Sequence, residues 1–86
     1  MFMPKAWVLI NTELGSEMDV FKDLKKIPEV QEVYMVYGIY DLIAMVKAGT
    51  ADKLKEIVTF NVRRLNNIRA TLTLLTIEEA STTKKK

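Results

Sequence analysis

The chain between residues 30 and 48 reads VQEVYMVYGIYDLIAMVKA. β-Branched and aromatic residues are frequent on both sides of Gly38, and this composition is typical of two β-strands joined by a tight turn. The expected strands run from Val30 to Tyr37 and from Tyr40 to Ala48. The segment therefore predicts a β-hairpin.

The second strand of this hairpin is apolar on both of its faces. Leu42, Ala44 and Val46 share one alternation, and Ile43 and Met45 share the other. One face of an antiparallel sheet usually contacts solvent, so two apolar faces indicate a further partner. We expect a homodimer and assign Leu42, Ala44 and Val46 to an oligomer contact.

A strand and a helix precede the hairpin. The run KAWVLINT, residues 5–12, is β-rich, and Ser16 follows as a candidate helix cap. The helix ends before Pro28, and its apolar residues recur every three positions on one side. That predicted stripe consists of Met18, Phe21, Leu24 and Ile27.

A second helix and a last strand follow the hairpin. Thr50 is a candidate cap for a helix from Ala51 to about Leu65. Its predicted buried stripe is Leu54, Ile57, Val58, Asn61 and Leu65, which leaves Phe60 on an exposed edge. Asn66 and Asn67 then indicate a turn before a strand over residues 68–77.

The resulting order, β-α-β-β-α-β, predicts an α+β fold of the ferredoxin-like type. In this sandwich an antiparallel sheet carries both helices on one face. With 86 residues the chain is long enough for one domain. We place that domain at residues 1–78 and expect a flexible, lysine-rich tail at residues 79–86.

Composition excludes several function classes. The chain has no cysteine and no histidine, which rules out disulfides, Cys/His zinc sites, a thiol nucleophile and a Ser-His-Asp triad. No spacing of carboxylates indicates acid–base work. We expect a protein that is not an enzyme and has no cofactor and no metal.

Charge and hydropathy restrict the partners. Thirteen basic and eleven acidic residues give a net charge of +2, but Lys84, Lys85 and Lys86 account for three of the basic ones. Ten basic residues then remain against eleven acidic ones, so we expect no direct specific DNA binding. The apolar run Ala6–Ile10 is too short to span a membrane, and we expect a cytoplasmic protein.

The segment Tyr37-Gly38-Ile39-Tyr40-Asp41 resembles the G-x-Y-D hairpin of the Lrp/AsnC family. The residues AWVLI at 6–10, IPEV at 27–30 and Thr71-x-Thr73 are similar to that family's effector domain as well. This module is called the RAM domain and is related to the amino-acid-binding ACT domain. Family regulators usually carry a helix-turn-helix before it, and residues 1–5 hold none, so the chain resembles a stand-alone form.

The resemblance implies a site for a small amino-acid-like effector at a junction between subunits. Its ligand-binding residues would be Tyr37, Gly38, Ile39, Tyr40, Asp41, Thr71 and Thr73. Gly38 also has a purely structural explanation, because glycine accepts the positive φ of tight turns. Asp41 either faces solvent or has a partner, and Thr71 and Thr73 are also ordinary strand residues.

The resemblance further implies assembly. We expect the homodimer to form a higher ring such as a tetramer of dimers, and to associate with full-length Lrp/AsnC regulators to modulate transcription. The exposed position of Phe60 on its helix, rather than the resemblance, places Phe60 at the contact between dimers. The alternative is a small cofactor-independent enzyme of the dimeric α+β barrel class. That enzyme would need a deep pocket between the sheet and the helices of each protomer.

Overall fold

The computed structural model describes residues 3–77, and the predicted tail at 79–86 lies outside this range. The elements follow the expected β-α-β-β-α-β order, with a π-helical turn after the second helix. Their bounds are β1 Lys5–Thr12, α1 Glu17–Lys25, β2 Val30–Met35, β3 Leu42–Lys47, α2 Ala51–Ile57, the π turn Val58–Val62 and β4 Ile68–Leu75. Both hairpin strands are shorter than predicted, because residues 36–41 form the turn.

The four strands form one antiparallel sheet in the order β2-β3-β1-β4. Val8 in the middle of β1 lies opposite Ala44 on one side and Thr73 on the other. β2 and β4 are therefore the edge strands. This topology with two helices confirms the predicted ferredoxin-like α+β fold.

The core lies between the helices and one face of the sheet. Val20 and Leu24 of α1 and Leu54 of α2 belong to the same buried cluster as alternate residues of β1 and β3. Both helices therefore cover the same sheet face. The strand residues on that face are Ala6, Val8, Ile10, Leu42, Ala44 and Val46, each with no exposed surface.

This packing corrects the predicted oligomer contact on β3. Leu42, Ala44 and Val46 are fully buried within the protomer, so they are not available to a second copy. Ile43 and Met45 point away from the helices, because successive side chains of a strand alternate between faces. Both alternations are apolar, so the sequence pattern did not show which of them the helices cover.

The sheet face opposite the helices has no covering element within residues 3–77. We call it the open face, and register and alternation define its residues. Most of its apolar side chains remain partly exposed, with Leu74 at 51% and Leu72 at 45%, whereas Met45 is only 6% exposed. The apolar members of the open face are Trp7, Leu9, Tyr34, Ile43, Met45, Leu72 and Leu74.

The buried side of α1 differs from the predicted stripe. Val20 and Leu24 are fully buried, whereas Met18 is 51% exposed. Ser16 is the N-cap residue but forms no side-chain capping hydrogen bond. Thr50, in contrast, caps α2 as predicted, because its hydroxyl oxygen accepts a hydrogen bond from the Lys53 amide at 3.1 Å.

A π turn changes the second half of the long helix that the sequence predicts. The Arg63 amide donates to the Val58 carbonyl five residues earlier, at 2.9 Å. This wider turn contains one additional residue, which delays the rotation of the following side chains about the axis. As a result Val62 is buried in place of Asn61, while Phe60 is 53% exposed, as the regular helix also predicts.

None of the helices within residues 3–77 has the length and apolar character required to cross a membrane.

Candidate functional site at the hairpin

The β2–β3 turn is closed by the backbone and held against the end of β1. The Val36 amide donates to the Asp41 carbonyl at 3.0 Å, and the Asp41 amide donates to the Ile10 carbonyl at 2.9 Å. Gly38 has a φ of +157°, which residues with a side chain rarely adopt, and apart from its two chain neighbours no other residue lies within 4 Å of a Cβ placed there. The turn thus uses the conformational freedom of glycine, and the space beside Gly38 is open.

The Asp41 carboxylate has a structural partner in β1. Its Oδ2 accepts a hydrogen bond from the Thr12 amide at 2.8 Å and lies 3.4 Å from the Thr12 hydroxyl. Thr12 is 5% exposed, so this carboxylate oxygen serves a backbone donor that water reaches poorly. Of the two possibilities that the sequence left open for Asp41, the structure gives a partner rather than solvent alone.

Two clefts meet at Asp41. The larger has a volume of about 540 Å³ and lies between the hairpin and the start of α1. The smaller has a volume of about 310 Å³ and lies between the end of β1, the hairpin and the start of β4. The larger is lined by Gly15, Glu17, Met18, Met35, Val36, Tyr37, Gly38 and Asp41. The smaller is lined by Asn11, Thr12, Leu14, Glu17, Ile39, Asp41 and Arg69.

Two charged residues of these clefts were not predicted from the sequence. Glu17 lines both clefts with Asp41, and Arg69 lines the smaller one. Neither Glu17 nor Arg69 forms an ion pair within the described chain. Glu17 lies at the start of a helix and Arg69 near the start of a strand, and both are ordinary positions for charged residues. No signal in the sequence indicates that the two side chains lie close together.

The hairpin contains both partly buried and fully exposed side chains. Tyr37 and Ile39 are 107% and 85% exposed, respectively, while Tyr40 is half-buried. An exposed tyrosine and isoleucine on the same turn form an apolar tip that nothing in residues 3–77 covers. Their contribution to a ligand site stays a prediction.

The two threonines of β4 lie elsewhere. Thr71 and Thr73 are opposite Ile10 and Val8, so they occupy the helix-side face of the sheet. Thr73 lines a separate groove beside the π turn, and Thr71 lines neither hairpin cleft. Within one protomer the structure does not bring the threonines and the hairpin together.

Features expected of a catalytic centre are scarce in the described part of the chain. The space between sheet and helices, where the enzyme alternative needs a pocket, is filled by core residues such as Val20, Leu24 and Leu54. No three acidic side chains within residues 3–77 are grouped as metal ligands.

One phenol has a perturbed pKa, and it lies on the open face rather than in a cleft. The Tyr34 hydroxyl donates to Glu32 Oε1 at 2.6 Å. This hydrogen bond, followed by the negative charge of Glu32, raises the pKa of Tyr34. The Tyr34 hydroxyl thus acts as a hydrogen-bond donor to Glu32.

The chain is similar to known ligand-binding modules over almost its whole length. A family model described as the Lrp/AsnC ligand binding domain matches residues 5–85. The crystal structure of the hypothetical protein PHS023 from Pyrococcus horikoshii is 39% identical and covers 90% of this chain and 93% of that chain, with a TM-score of 0.83. TTHA0845 from Thermus thermophilus is 31% identical and covers 93% of this chain and 100% of that chain, with a TM-score of 0.86.

A more distant structure has the same fold in a longer protein. The transcriptional regulator NMB0573 from Neisseria meningitidis, solved in complex with L-Met, is 13% identical. The match covers 93% of this chain and 53% of the regulator, with a TM-score of 0.78. No curated protein matches the chain.

The family model matches most of the chain, and the two structures of more than 30% identity cover at least 90% of it with the same fold. The chain belongs to the Lrp/AsnC ligand-binding domain family.

Proposed function

We propose that the protein is an amino-acid-sensing module that binds its effector in the two clefts beside Asp41. The observation that carries this proposal is the charge arrangement there, with Glu17 and Asp41 lining the same cleft as Arg69. A free amino acid carries both an ammonium and a carboxylate group, and these charges complement the cleft. The L-Met complex of the distant Neisseria regulator supports an amino acid as the ligand class.

Each part of an amino acid has a matching group in the clefts. The ammonium group would donate to Glu17 and to the Asp41 oxygen that Thr12 does not use. The carboxylate would accept the forked hydrogen bonds of the Arg69 guanidinium. An apolar side chain would extend along Met18 and Met35 in the larger cleft, since thioether side chains adapt to varied shapes.

Both clefts are open, and we propose that a second subunit completes the site. Small-molecule sites usually bury most of the ligand surface, which an open surface cleft does not do. The exposed hairpin tip, Tyr37 and Ile39, supplies apolar area for such a subunit contact. The apolar open face supports a homodimer, in which the sheets of two copies face each other.

In the cell, such a module would act through other proteins. We propose a cytoplasmic role in which the ligand-bound oligomer associates with full-length Lrp/AsnC regulators and modulates transcription. Direct recognition of DNA would belong to those partners rather than to this domain.

The effector site is tested with Glu17→Gln, which removes one negative charge while preserving side-chain size. A thermal-shift screen of the twenty amino acids selects the ligand, and calorimetric titration then measures its affinity. We expect Glu17→Gln to weaken binding about tenfold to a hundredfold, the loss of one charge-assisted hydrogen bond.

Asp19→Asn is the matched control, because Asp19 lies on the same helix but lines neither cleft. It should bind the selected amino acid as the wild type does. Wild-type affinity in Glu17→Gln, or an equal loss in both variants, would contradict the proposed site.

A second prediction concerns Phe60, which we propose as the contact between dimers. The ring is 53% exposed and is covered on one side by the Arg64 guanidinium, 5.1 Å from the ring centroid. Phe60→Glu should reduce a larger assembly to dimers, because a carboxylate is costly in an apolar contact. Light scattering measures the mass, and an unchanged assembly would exclude Phe60 from the contact.

A further inference from the structure

Another groove lies on the helix side of the sheet, between the π turn and edge strand β4. Its volume is about 270 Å³, and it shares no residue with the hairpin clefts. We call it the β4 groove. It is lined by Lys55, Val58, Thr59, Arg63, Thr73 and Leu75.

The β4 groove has an unbalanced positive charge. Lys55 and Arg63 are its two charged residues, and neither forms an ion pair within the described chain. Three other clefts on the surface each contain a carboxylate, from Glu17, Asp41 or Glu32. Two cations with no acid among the lining residues create a local potential that attracts an anion.

Hydroxyl and apolar groups complete the lining. Thr59 and Thr73 contribute one hydroxyl donor each, from the helical side and from the strand side. Val58 is 4% exposed and Leu75 is 39% exposed, so together they provide an apolar floor. The groove thus combines charged donors, neutral donors and an apolar surface.

The π turn accounts for the position of Arg63. Lys55 and Thr59 are four residues apart, a spacing that puts side chains on the same side of a helix. Eight residues after Lys55, a regular α-helix would place Arg63 about 80° around the axis from Lys55. The additional residue in Val58–Val62 delays the rotation, and Arg63 lines the groove with the other two. Such π turns are frequent at functional sites.

We propose that the β4 groove binds a small organic phosphate monoester, independently of the effector site at the hairpin. Lys55 and Arg63 bind the phosphate oxygens, the hydroxyls of Thr59 and Thr73 donate to the remaining oxygens, and the carbon part lies on Val58 and Leu75. A phosphate monoester carries a charge of about −1.5 to −2 at neutral pH and offers three acceptor oxygens. Two cations and two hydroxyls match this group better than a singly charged carboxylate.

The test uses the full chain labelled with ¹⁵N and titrated with glycerol 2-phosphate, followed by amide chemical shifts. The expected result is a saturable shift of the Thr59, Arg63 and Thr73 amides. Glycerol, which lacks the phosphate, should produce none. The double variant Lys55→Gln/Arg63→Gln should lower the affinity at least about tenfold, through loss of two charge-assisted hydrogen bonds.

Lys22→Gln/Lys25→Gln is the matched control, because it removes two positive charges from α1, outside the β4 groove. It should retain the wild-type affinity. Equal losses in both double variants would show diffuse charge attraction and overturn the proposal. So would shifts confined to Thr12 and Asp41, equally tight binding of acetate in the groove, or no shifts at all.

Discussion

Replacing Leu74 by glutamate is expected to convert the proposed homodimer into folded monomers of 9.9 kDa. Leu74 lies opposite Trp7 on the open face and is 51% exposed in the protomer. In a two-fold dimer each substitution occurs twice, so two carboxylates would be transferred from water into an apolar contact. The free energy needed to bury an unpaired charge is far larger than the free energy that one apolar contact contributes to association. The dimer should therefore dissociate at micromolar concentration.

Ala51→Glu provides a matched control, since it introduces the same charge at an exposed apolar residue of α2 that lies outside the open face and lines none of the clefts. Light scattering should give the wild-type mass for Ala51→Glu and the monomer mass for Leu74→Glu. Circular dichroism establishes that both variants keep the fold. A wild-type protein that is already monomeric, or a Leu74→Glu variant of wild-type mass, would reject the open face as the dimer contact.

Asp41→Ala is expected to destabilise the protein, while Asp41→Asn should retain most of the stability. Alanine leaves the Thr12 amide without an acceptor, and Thr12 is 5% exposed. Leaving a buried donor unsatisfied costs about 1–3 kcal/mol. An asparagine carbonyl can accept the same hydrogen bond, because its oxygen occupies the position of a carboxylate oxygen.

Thermal unfolding at one protein concentration measures this difference. For a domain of this size each kcal/mol corresponds to a fall of roughly 4–8 °C in the melting temperature. The concentration is fixed because association stabilises the folded state. Equal melting temperatures for Asp41→Ala and the wild type would show that the Thr12 hydrogen bond contributes nothing.

Asp41→Asn also distinguishes the structural role of Asp41 from its proposed role in ligand recognition. It keeps an acceptor for Thr12 but removes the charge that we propose for the effector's ammonium group. Stable protein with weakened amino-acid binding would support both roles of Asp41. Asp41→Ala alone does not distinguish a lost ligand contact from a displaced hairpin.

The local sequence was sufficient for the element order. β1 runs from Lys5 to Thr12, as the apolar run predicts, and Thr50 caps α2 with its own hydroxyl. The hairpin was identifiable because Gly38 interrupts two β-rich runs, and it carries the G-x-Y-D resemblance to the family. These features depend on residues close together in the chain, so local propensity and turn chemistry determine them.

Which side of each element is buried depended on tertiary contacts. β3 is apolar on both faces, and only its packing against the helices distinguished Leu42 from Ile43. The π turn likewise depends on packing, because it puts Val62 rather than Asn61 into the core. Periodicity assumes a regular helix and does not include an additional residue in one turn.

The candidate site was defined partly by the sequence and partly by the tertiary structure. The sequence by itself identified the hairpin and Asp41, and with them the ligand-binding family. The tertiary structure decided that Asp41 is hydrogen-bonded to Thr12, that Glu17 and Arg69 line the same cleft, and that Thr73 lies in another groove. Strand pairing and the packing of α1 set these neighbours, since they bring together residues that are far apart in the chain, and a sequence pattern does not show which distant residues meet.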